Sequence, residues 1–547
     1  MTAPSRRFDA VIVGGGHNGL VCAAYLAGAG QDVCVLERRP ILGGAAVTEE
    51  FHPGFRNSTA SYTVSLLNPR IIRDLRLAEH GLVIVPRALS NFLPLPDAAG
   101  GGYLKVGGGI AATQAEVAKF SPGDAQRLPA YYAMLERVAD VLRDLLLATP
   151  PNVGGGLHAL LDGWKVAKRF RALDLPGQRD VLALFTKSAG DLLDAWFESA
   201  PIKAAFGFDA VVGNFASPYA AGSAYVLLHH VFGEVNGQRG QWGHARGGMG
   251  AITAAMAREC EARGVTLRTG APVARVIVKG GRAAGAELEG GEVVEAKRVV
   301  ANVNPKLLFE RLVAPEHLDA DFRARIAAYR CGSGTFRMNV ALSELPDFSA
   351  LPGTAPAPHH ASGIILAPSL AYMERAYFDA RTTGWSRAPI VEVLIPSVVD
   401  DTLAPPGRHV ASLFCQHVHP DLPAVAPGRS WDDAREEVAD LMIDTVNRAA
   451  PNFRASVLGR RALTPLDLER DFGLVGGDIF HGALSLDQLF SARPVLGHGH
   501  YRAPIAGLYL CGSGTHPGGG VTGVPGHNAA REILRDRRRG FRWAARG

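Results

Sequence analysis

No stretch of about 18 uninterrupted apolar residues occurs in the chain, so no membrane-spanning helix is expected. The N-terminus has no apolar signal segment before its first expected strand, and Met1 to Arg7 is short for a transit peptide. Cysteine is scarce. The six (Cys22, Cys34, Cys260, Cys331, Cys415, Cys511) show no C-x-x-C spacing and sit mostly in apolar contexts. They read as reduced core residues, which argues against a redox dithiol or a thiolate metal site. An excess of one charge is also missing: 57 Lys+Arg against 52 Asp+Glu leave a formal +5, too little and too evenly spread for a nucleic-acid binder. No Ser-His-Asp set, metal-ligand spacing or repeat array is present, so no metal is expected.

Hydrophobic residues make up 47% and charged residues 20%, a balance that excludes a mainly disordered chain. At 547 residues the chain exceeds the usual domain size of roughly 100 to 200 residues and should fold as several lobes. Its one local charge excess is terminal. Arg535, Arg537, Arg538, Arg539 and Arg542 surround Phe541 and Trp543, which suits either an anionic membrane surface or a solvated helix end.

Phe8 to Val13 is a β-branched apolar run ending in Gly14-Gly15-Gly16-His17-Asn18-Gly19, and Leu20 to Ala29 reads as a small-residue helix closed by Gly30. Val33 to Leu36 is a second strand ending on Glu37. Gly14, Gly16 and Gly19 thus match G-x-G-x-x-G in a β-α-β setting: a tight turn, close backbone approach to a pyrophosphate, and close helix-strand packing. The pyrophosphate would face the helix N-terminus. Glu37 can accept hydrogen bonds from a ribose and would repel a 2′-phosphate. Gly43-Gly44 adds a second backbone loop, which favours FAD over NAD, although a plain turn would look the same.

Near the other end, Gly512-Ser513-Gly514-Thr515-His516 follows the strand Leu508 to Cys511, and Gly523-Val524-Pro525-Gly526 precedes a helix to Arg535. Exposed N–H groups there would serve the ribityl chain and pyrimidine edge of a flavin. No second strand, G-x-G-x-x-G and acid set is found; Gly247-Gly248-Met249-Gly250 and Gly332-Ser333-Gly334 lack that context. A dedicated NAD(P)H domain is therefore not expected.

Between these ends, residues from about 70 to 238 read as amphipathic helices and loops, with Leu135, Val138, Leu142 and Leu145 on one face. Short strands return at 265–267, 273–278, 283–288, 293–294 and 299–302. A mixed region follows from Pro305, with a proline-rich connection between Leu345 and Pro358. The fold expected is α/β: a discontinuous Rossmann-type, glutathione-reductase-like FAD-binding domain (1–69, 240–304 and 478–547) with an inserted α+β substrate or lid domain (70–239 and 305–477).

Catalytic residues are not legible, but pocket candidates are. His229 and His230 follow an apolar stretch in which, from Ala204 to Gly233, only Asp209 carries a full-charge side chain. That stretch suits an apolar tunnel or ordinary core. His481 and Asp487, with Gln488, precede the C-terminal glycine motif, and His516 lies inside it; a structural role for His516 is the alternative.

The segments GHNGLVCAAYL, ERRPILGGAAVTEE, WFESAPIKA, GSAYVLLHHV, APPGRHVASLF, IFHGALSLDQLFSARP and GLYLCGSGTHPGGG resemble the phytoene desaturase-related flavoproteins over nearly the whole chain. Within them the chain most resembles the pyridine nucleotide-disulphide oxidoreductase domain-containing group, with FAD-type carotenoid ketolases more distant. The resemblance implies non-covalent FAD, cofactor roles for Gly14, Gly16, Gly19, Glu37, Gly43, Gly44, Gly512 and Gly514, and a backbone contact from Val273 to adenine. Gly15, Asn18, Arg38, Ala45, Gly523 and Val524 are further expected contacts. Cys22 and Cys34 do not form an active disulphide arrangement.

The expected activity is dehydrogenation of an apolar polyene, isoprenoid or lipid-like substrate, with the flavin reoxidised by dioxygen or a quinone. Ketolation or redox-neutral isomerisation of a polyene, and a flavin-stabilised scaffold, are the alternatives. Amine oxidation is less favoured because no aromatic cage can be identified. A bacterial cytoplasmic location with peripheral contact at the inner membrane is expected, while animal relatives are linked to mitochondria; the oligomeric state is left open.

Overall fold

The structure, a computed structural model, describes residues 7–152, 156–538 and 540. Of the terminal basic cluster, Arg539, Phe541, Arg542 and Trp543 lie outside the described residues.

The apolar run at the N-terminus forms Ala10–Val13, the central strand of a five-stranded parallel sheet ordered Thr266–Arg268, Val33–Leu36, Ala10–Val13, Val299–Ala301, Leu508–Leu510. Ala10–Val13 is buried along its length, as a strand covered on both faces requires, and it therefore shows no polar alternation. The sheet joins three distant parts of the chain. Beside it stands an antiparallel meander, Val273–Lys279, Arg282–Leu288 and Val293–Glu295. The architecture is the α/β, Rossmann-type cofactor fold expected from the motifs.

The helix His17–Gly28 packs directly on the final helix Val524–Arg538. Small residues make this approach possible: a β-carbon on Gly526 would stand 2.1 Å from the Asn18 carbonyl oxygen. The cofactor-domain core also takes in Ile71, Leu75, Leu77 and Leu82, contributed by the short helix Pro69–Asp74, which the Asn68 side chain caps, and by the residues after it.

The second body is built on a seven-stranded sheet, in the order Val457–Leu463, Phe336–Leu342, His409–Val418, Trp385–Leu394, Gly363–Leu366, Leu89–Pro94, Tyr103–Gly107. All neighbours are antiparallel except Gly363–Leu366 with Leu89–Pro94. Helices Pro122–Leu146, Ala189–Trp196, Ala200–Val211 and Ser223–Val231 cover one face, burying Leu135, Val138, Leu142 and Leu145. Helix Trp431–Ala449 covers the other.

The region after residue 70 is not purely helical. It supplies the strands Ile84–Pro86, Leu89–Pro94 and Tyr103–Gly107. Leu89–Pro94 and Tyr103–Gly107 pair locally, but Ile84–Pro86 pairs with Gly243–Ala245 and Leu89–Pro94 also pairs with Gly363–Leu366, both far away in sequence, and no local periodicity announces that pairing.

Candidate active site

A cavity of about 510 Å³ opens where the N-terminal glycine loop meets the end of the parallel sheet. Gly14, with φ +99° and its N–H donating to the Leu36 carbonyl at 2.8 Å, turns the chain into the first helix. Gly14, Gly16, Asn18, Glu37, Arg38, Gly44, Ala45 and Val273 border the cavity. Gly15, Gly19 and Gly43 stand behind its wall. The Gly43 N–H donates to the Gly15 carbonyl at 2.9 Å, and a β-carbon on Gly19 would lie 2.3 Å from the Gly14 carbonyl oxygen. These glycines bring the two loops and the helix together without touching the cavity.

Glu37 ends its strand with both carboxylate oxygens engaged: Oε2 accepts from the Gly15 N–H at 2.7 Å and Oε1 from the Arg39 N–H at 2.9 Å. Arg38 is held by donating to the Arg470 carbonyl at 2.9 Å. Arg39 pairs with Glu49 at 2.8 Å and stacks on Phe472, which also borders the cavity.

At the far end of the cavity the two terminal parts of the chain meet. Asn18 Nδ2 donates to Ser513 Oγ at 3.1 Å, and Ser513 and His481 complete the wall. His17 Nε2, Asn18 Oδ1 and His481 Nδ1 are buried polar atoms with no protein partner. Burial lowers the His17 imidazole to about 3, helped by neighbouring His481, and lowers His481 to about 4, helped by Arg493. Both are neutral at physiological pH. Unpartnered polar atoms around a glycine-lined cavity fit a dinucleotide, whose phosphates and ring edges can satisfy them.

Several expected residues lie elsewhere. Gly512 packs on Asn302, Gly514 on Pro305, and Gly523 on Ile71 and Val21, while Val524 is fully buried in the cofactor-domain core. None of the four borders the cavity; they pack the last strand, turn and helix closely, and Ser513 is the residue of that turn on the cavity wall. Asp487 is a correction: it is 63% exposed, in an ion pair with Arg330 at 2.7 Å, because its short turn lies at the surface. His516 contacts the Leu145 carbonyl at 3.1 Å, stacks on Phe490, and borders a separate apolar cavity of about 280 Å³. Burial lowers it to about 4.

His229 and His230 are buried on Ser223–Val231, and both face Phe480. His230 Nδ1 contacts the Val226 carbonyl at 2.8 Å and its ring stacks on Trp242; burial lowers it to about 4. His229 has an unpartnered Nδ1 and is lowered further by burial and by His230.

A buried polar cluster was not visible in the sequence. Tyr62 Oη donates to Glu392 Oε2 at 2.6 Å, and Arg337 lies over the Tyr62 ring at 4.5 Å while donating to the Ala60 carbonyl at 3.0 Å. Ser61, beside them, donates its N–H to the carbonyl of cavity-lining Ala45 at 3.0 Å. Asp209 is raised to about 8 by burial and by the Glu392 charge. The sole charged residue of its apolar stretch was the only available signal.

The family profile for flavin-containing amine oxidoreductases matches residues 19–336. The chain is 43% identical over 549 residues to pyridine nucleotide-disulfide oxidoreductase domain-containing protein 2 of Rattus norvegicus, covering 97% of this chain and 94% of the relative.

The chain belongs to the flavin-containing amine oxidoreductases.

This flavin-containing oxidoreductase is also 26% identical to a limonene dehydrogenase component of Castellaniella defragrans, covering 97% of this chain and 95% of that protein. It is 27% identical to hydroxyneurosporene desaturase of Cereibacter sphaeroides, covering 96% and 97%. Its fold matches that of an oxidoreductase from Methanosarcina mazei, with a TM-score of 0.59 at 17% identity, over 96% of this chain and 99% of the other.

Proposed function

We propose that this flavin-containing oxidoreductase holds FAD non-covalently and dehydrogenates an apolar polyene, isoprenoid or lipid-like compound. The observation that carries the substrate class is the second cavity. Leu145, Val166, Phe170, Phe185 and Phe490 line it, and its wall contains no carboxylate, lysine or arginine. Such a wall repels a charged or strongly hydrated substrate and accepts a hydrocarbon. The names of two relatives, a limonene dehydrogenase component and a hydroxyneurosporene desaturase, point the same way.

Glu37, Arg38 and the glycine loops would hold the nucleotide half of FAD, and Ser513, Asn18 and His481 the end nearer the flavin ring. When bound, FAD supplies a two-electron acceptor that takes hydride from a substrate carbon. The chain's own contribution is to exclude water and to keep His17 and His481 neutral beside the cavity. His481 Nδ1 is a base with no protein partner, suited to receive the proton lost from the adjacent carbon as the C=C bond forms. Reoxidation by dioxygen or a quinone returns the cofactor to its starting state.

The test is anaerobic mixing of purified, flavin-loaded protein with isoprenoid and polyene substrates delivered in detergent or liposomes. Stoichiometric flavin bleaching with a product lighter by two hydrogens is expected. Bleaching by none of these compounds, but by a primary amine, would overturn the reading, as would an oxygenated or isomeric product.

A further inference from the structure

The large apolar side chains exposed among the described residues are mostly scattered, but four lie on two consecutive helices beside the apolar cavity. Helix Gly156–Arg171 exposes Leu161 (57%) and Trp164 (62%), and helix Leu175–Thr186 exposes Leu175 (58%) and Leu182 (63%). Leu161 and Trp164 are three residues apart, and Leu175 and Leu182 seven apart, so each pair shares one side of its helix.

The space between these helices is open. The apolar cavity of about 280 Å³ and a neighbouring groove of about 440 Å³ both border Phe170 and Phe185. Gly163, Val166 and Phe170 border the cavity, while Val181, Leu182 and Phe185 line the groove. Phe490 and His516 also line the cavity, and the same Phe490 packs against the cluster that holds Phe480, the chain neighbour of His481 in the wall of the glycine-lined cavity.

The charge is complementary to one kind of partner. Lys165, Lys168, Arg169 and Arg171 belong to the same helix as Trp164, and Lys168 Nζ lies 5.6 Å from the Trp164 ring. Arg169 reaches Asp144 at 3.4 Å, and both side chains are well exposed. Exposed Trp and Leu flanked by Lys and Arg match the boundary between acyl chains and anionic headgroups.

We propose that helices Gly156–Arg171 and Leu175–Thr186 seat the protein on an anionic lipid bilayer, and that the groove at Phe170 and Phe185 admits lipid-dissolved substrate directly from the membrane. The lipid-surface half stands on this patch alone; the entry half rests on the apolar-substrate reading above. A hydrocarbon then reaches the cavity without crossing water, and the described residues need no helix long and apolar enough to span the bilayer.

The experiment is vesicle flotation of the FAD-loaded full chain without substrate, so that its outcome is independent of turnover. Vesicles of phosphatidylcholine mixed with phosphatidylglycerol are compared with pure phosphatidylcholine. Binding is expected to favour the anionic vesicles. Leu161→Gln with Trp164→Ala should weaken it by about tenfold or more, because each lost side chain removes buried apolar area. Lys168→Gln with Arg171→Gln should weaken binding to anionic vesicles by about tenfold and change binding to neutral ones little. Flavin content should stay at the wild-type level in both variants, since these residues do not border the cofactor cavity. Three results would each overturn the proposal: no vesicle binding by the wild type, wild-type affinity in both variants, or binding abolished only by removing residues 539–547. Bound protein that is not reduced by any apolar substrate would leave the lipid surface standing and reject the substrate reading.

Discussion

A β-carbon on Gly44 would stand 3.1 Å from the Gly16 α-carbon, so the two N-terminal glycine loops meet backbone to backbone at the cavity wall. Gly44 also has φ +58°, where a side chain is strained by about 1–2 kcal/mol. Gly16 meets a different obstacle: its β-carbon would crowd Asn302 Nδ2 at 3.1 Å while its backbone faces the cavity. Gly16→Val and Gly44→Val are each expected to yield folded but colourless protein. The flavin-to-protein absorbance ratio after gel filtration checks this, and a wild-type ratio in Gly16→Val would refute the assignment of the cofactor site.

Glu37 acts on both loop and ligand. Its carboxylate satisfies the N–H groups of Gly15 and Arg39, so Glu37→Ala strands two donors and should lower stability by about 1–3 kcal/mol. Glu37→Gln retains an acceptor for one of them and removes the charge. It should therefore unfold nearer to wild type yet bind FAD on the order of tenfold more weakly, as read by fluorescence titration of the apoprotein.

Lowered histidines give the glycine-lined cavity a pH dependence of defined sign. His481 is neutral in the fold down to about 4 and His17 to about 3, against an ordinary 6.5 in the unfolded chain. Below 6.5 the unfolded chain therefore binds more protons than the folded one, and stability falls as pH falls. His481 alone can contribute on the order of 3 kcal/mol across that window. Urea midpoints for the apoprotein should drop between about pH 7 and about pH 5, and His481→Asn should flatten the slope. An unchanged slope would show that His481 is not held neutral.

Asp209 has the opposite sign. Its folded value of about 8 lies above the ordinary 3.8, so the folded chain holds the proton and stability is lost as pH rises through that interval. Asp209→Asn should raise stability at about pH 8 by on the order of 1 kcal/mol, a figure discounted because the residue is only partly buried. A destabilised variant would indicate that the charged carboxylate has a partner in the fold.

NADH and NADPH are expected to reduce the bound flavin slowly. Among the described residues the five-stranded parallel sheet carries the G-x-G-x-x-G turn between Ala10–Val13 and helix His17–Gly28, with Glu37 closing the next strand, and the proposed FAD site uses it. A nicotinamide without its own site seldom reaches the separation of about 3–3.5 Å that hydride transfer requires. Fast, saturable bleaching in a stopped-flow spectrometer would require a nucleotide site on the second body.

The N-terminal β-α-β unit was legible in the sequence because its constraints are local: Gly14, Gly16 and Gly19 have fixed spacing, and Val33–Leu36 delivers Glu37 at a fixed distance from them. The second glycine-rich turn was equally plain, yet which of its residues faces the cavity was not. Gly512, Gly514 and Gly523 resemble ligand contacts in one dimension. In three dimensions Asn302, Pro305 and Ile71 occupy the space beside them and leave Ser513 turned inward. Asp487 similarly shared a motif with His481 but follows a positive-φ turn at His481 and Gly482 out to the surface.

Long-range pairing decided the rest. Leu89–Pro94 pairs locally with Tyr103–Gly107 but joins the larger sheet only through Gly363–Leu366, and Tyr62, Arg337 and Glu392 form one cluster although separate strands and loops supply them. Local sequence therefore determined the cofactor loops, whose geometry depends on glycine backbone and short spacing. Tertiary structure alone decided which polar side chains lose their water together, because that depends on what packs over them from elsewhere in the chain.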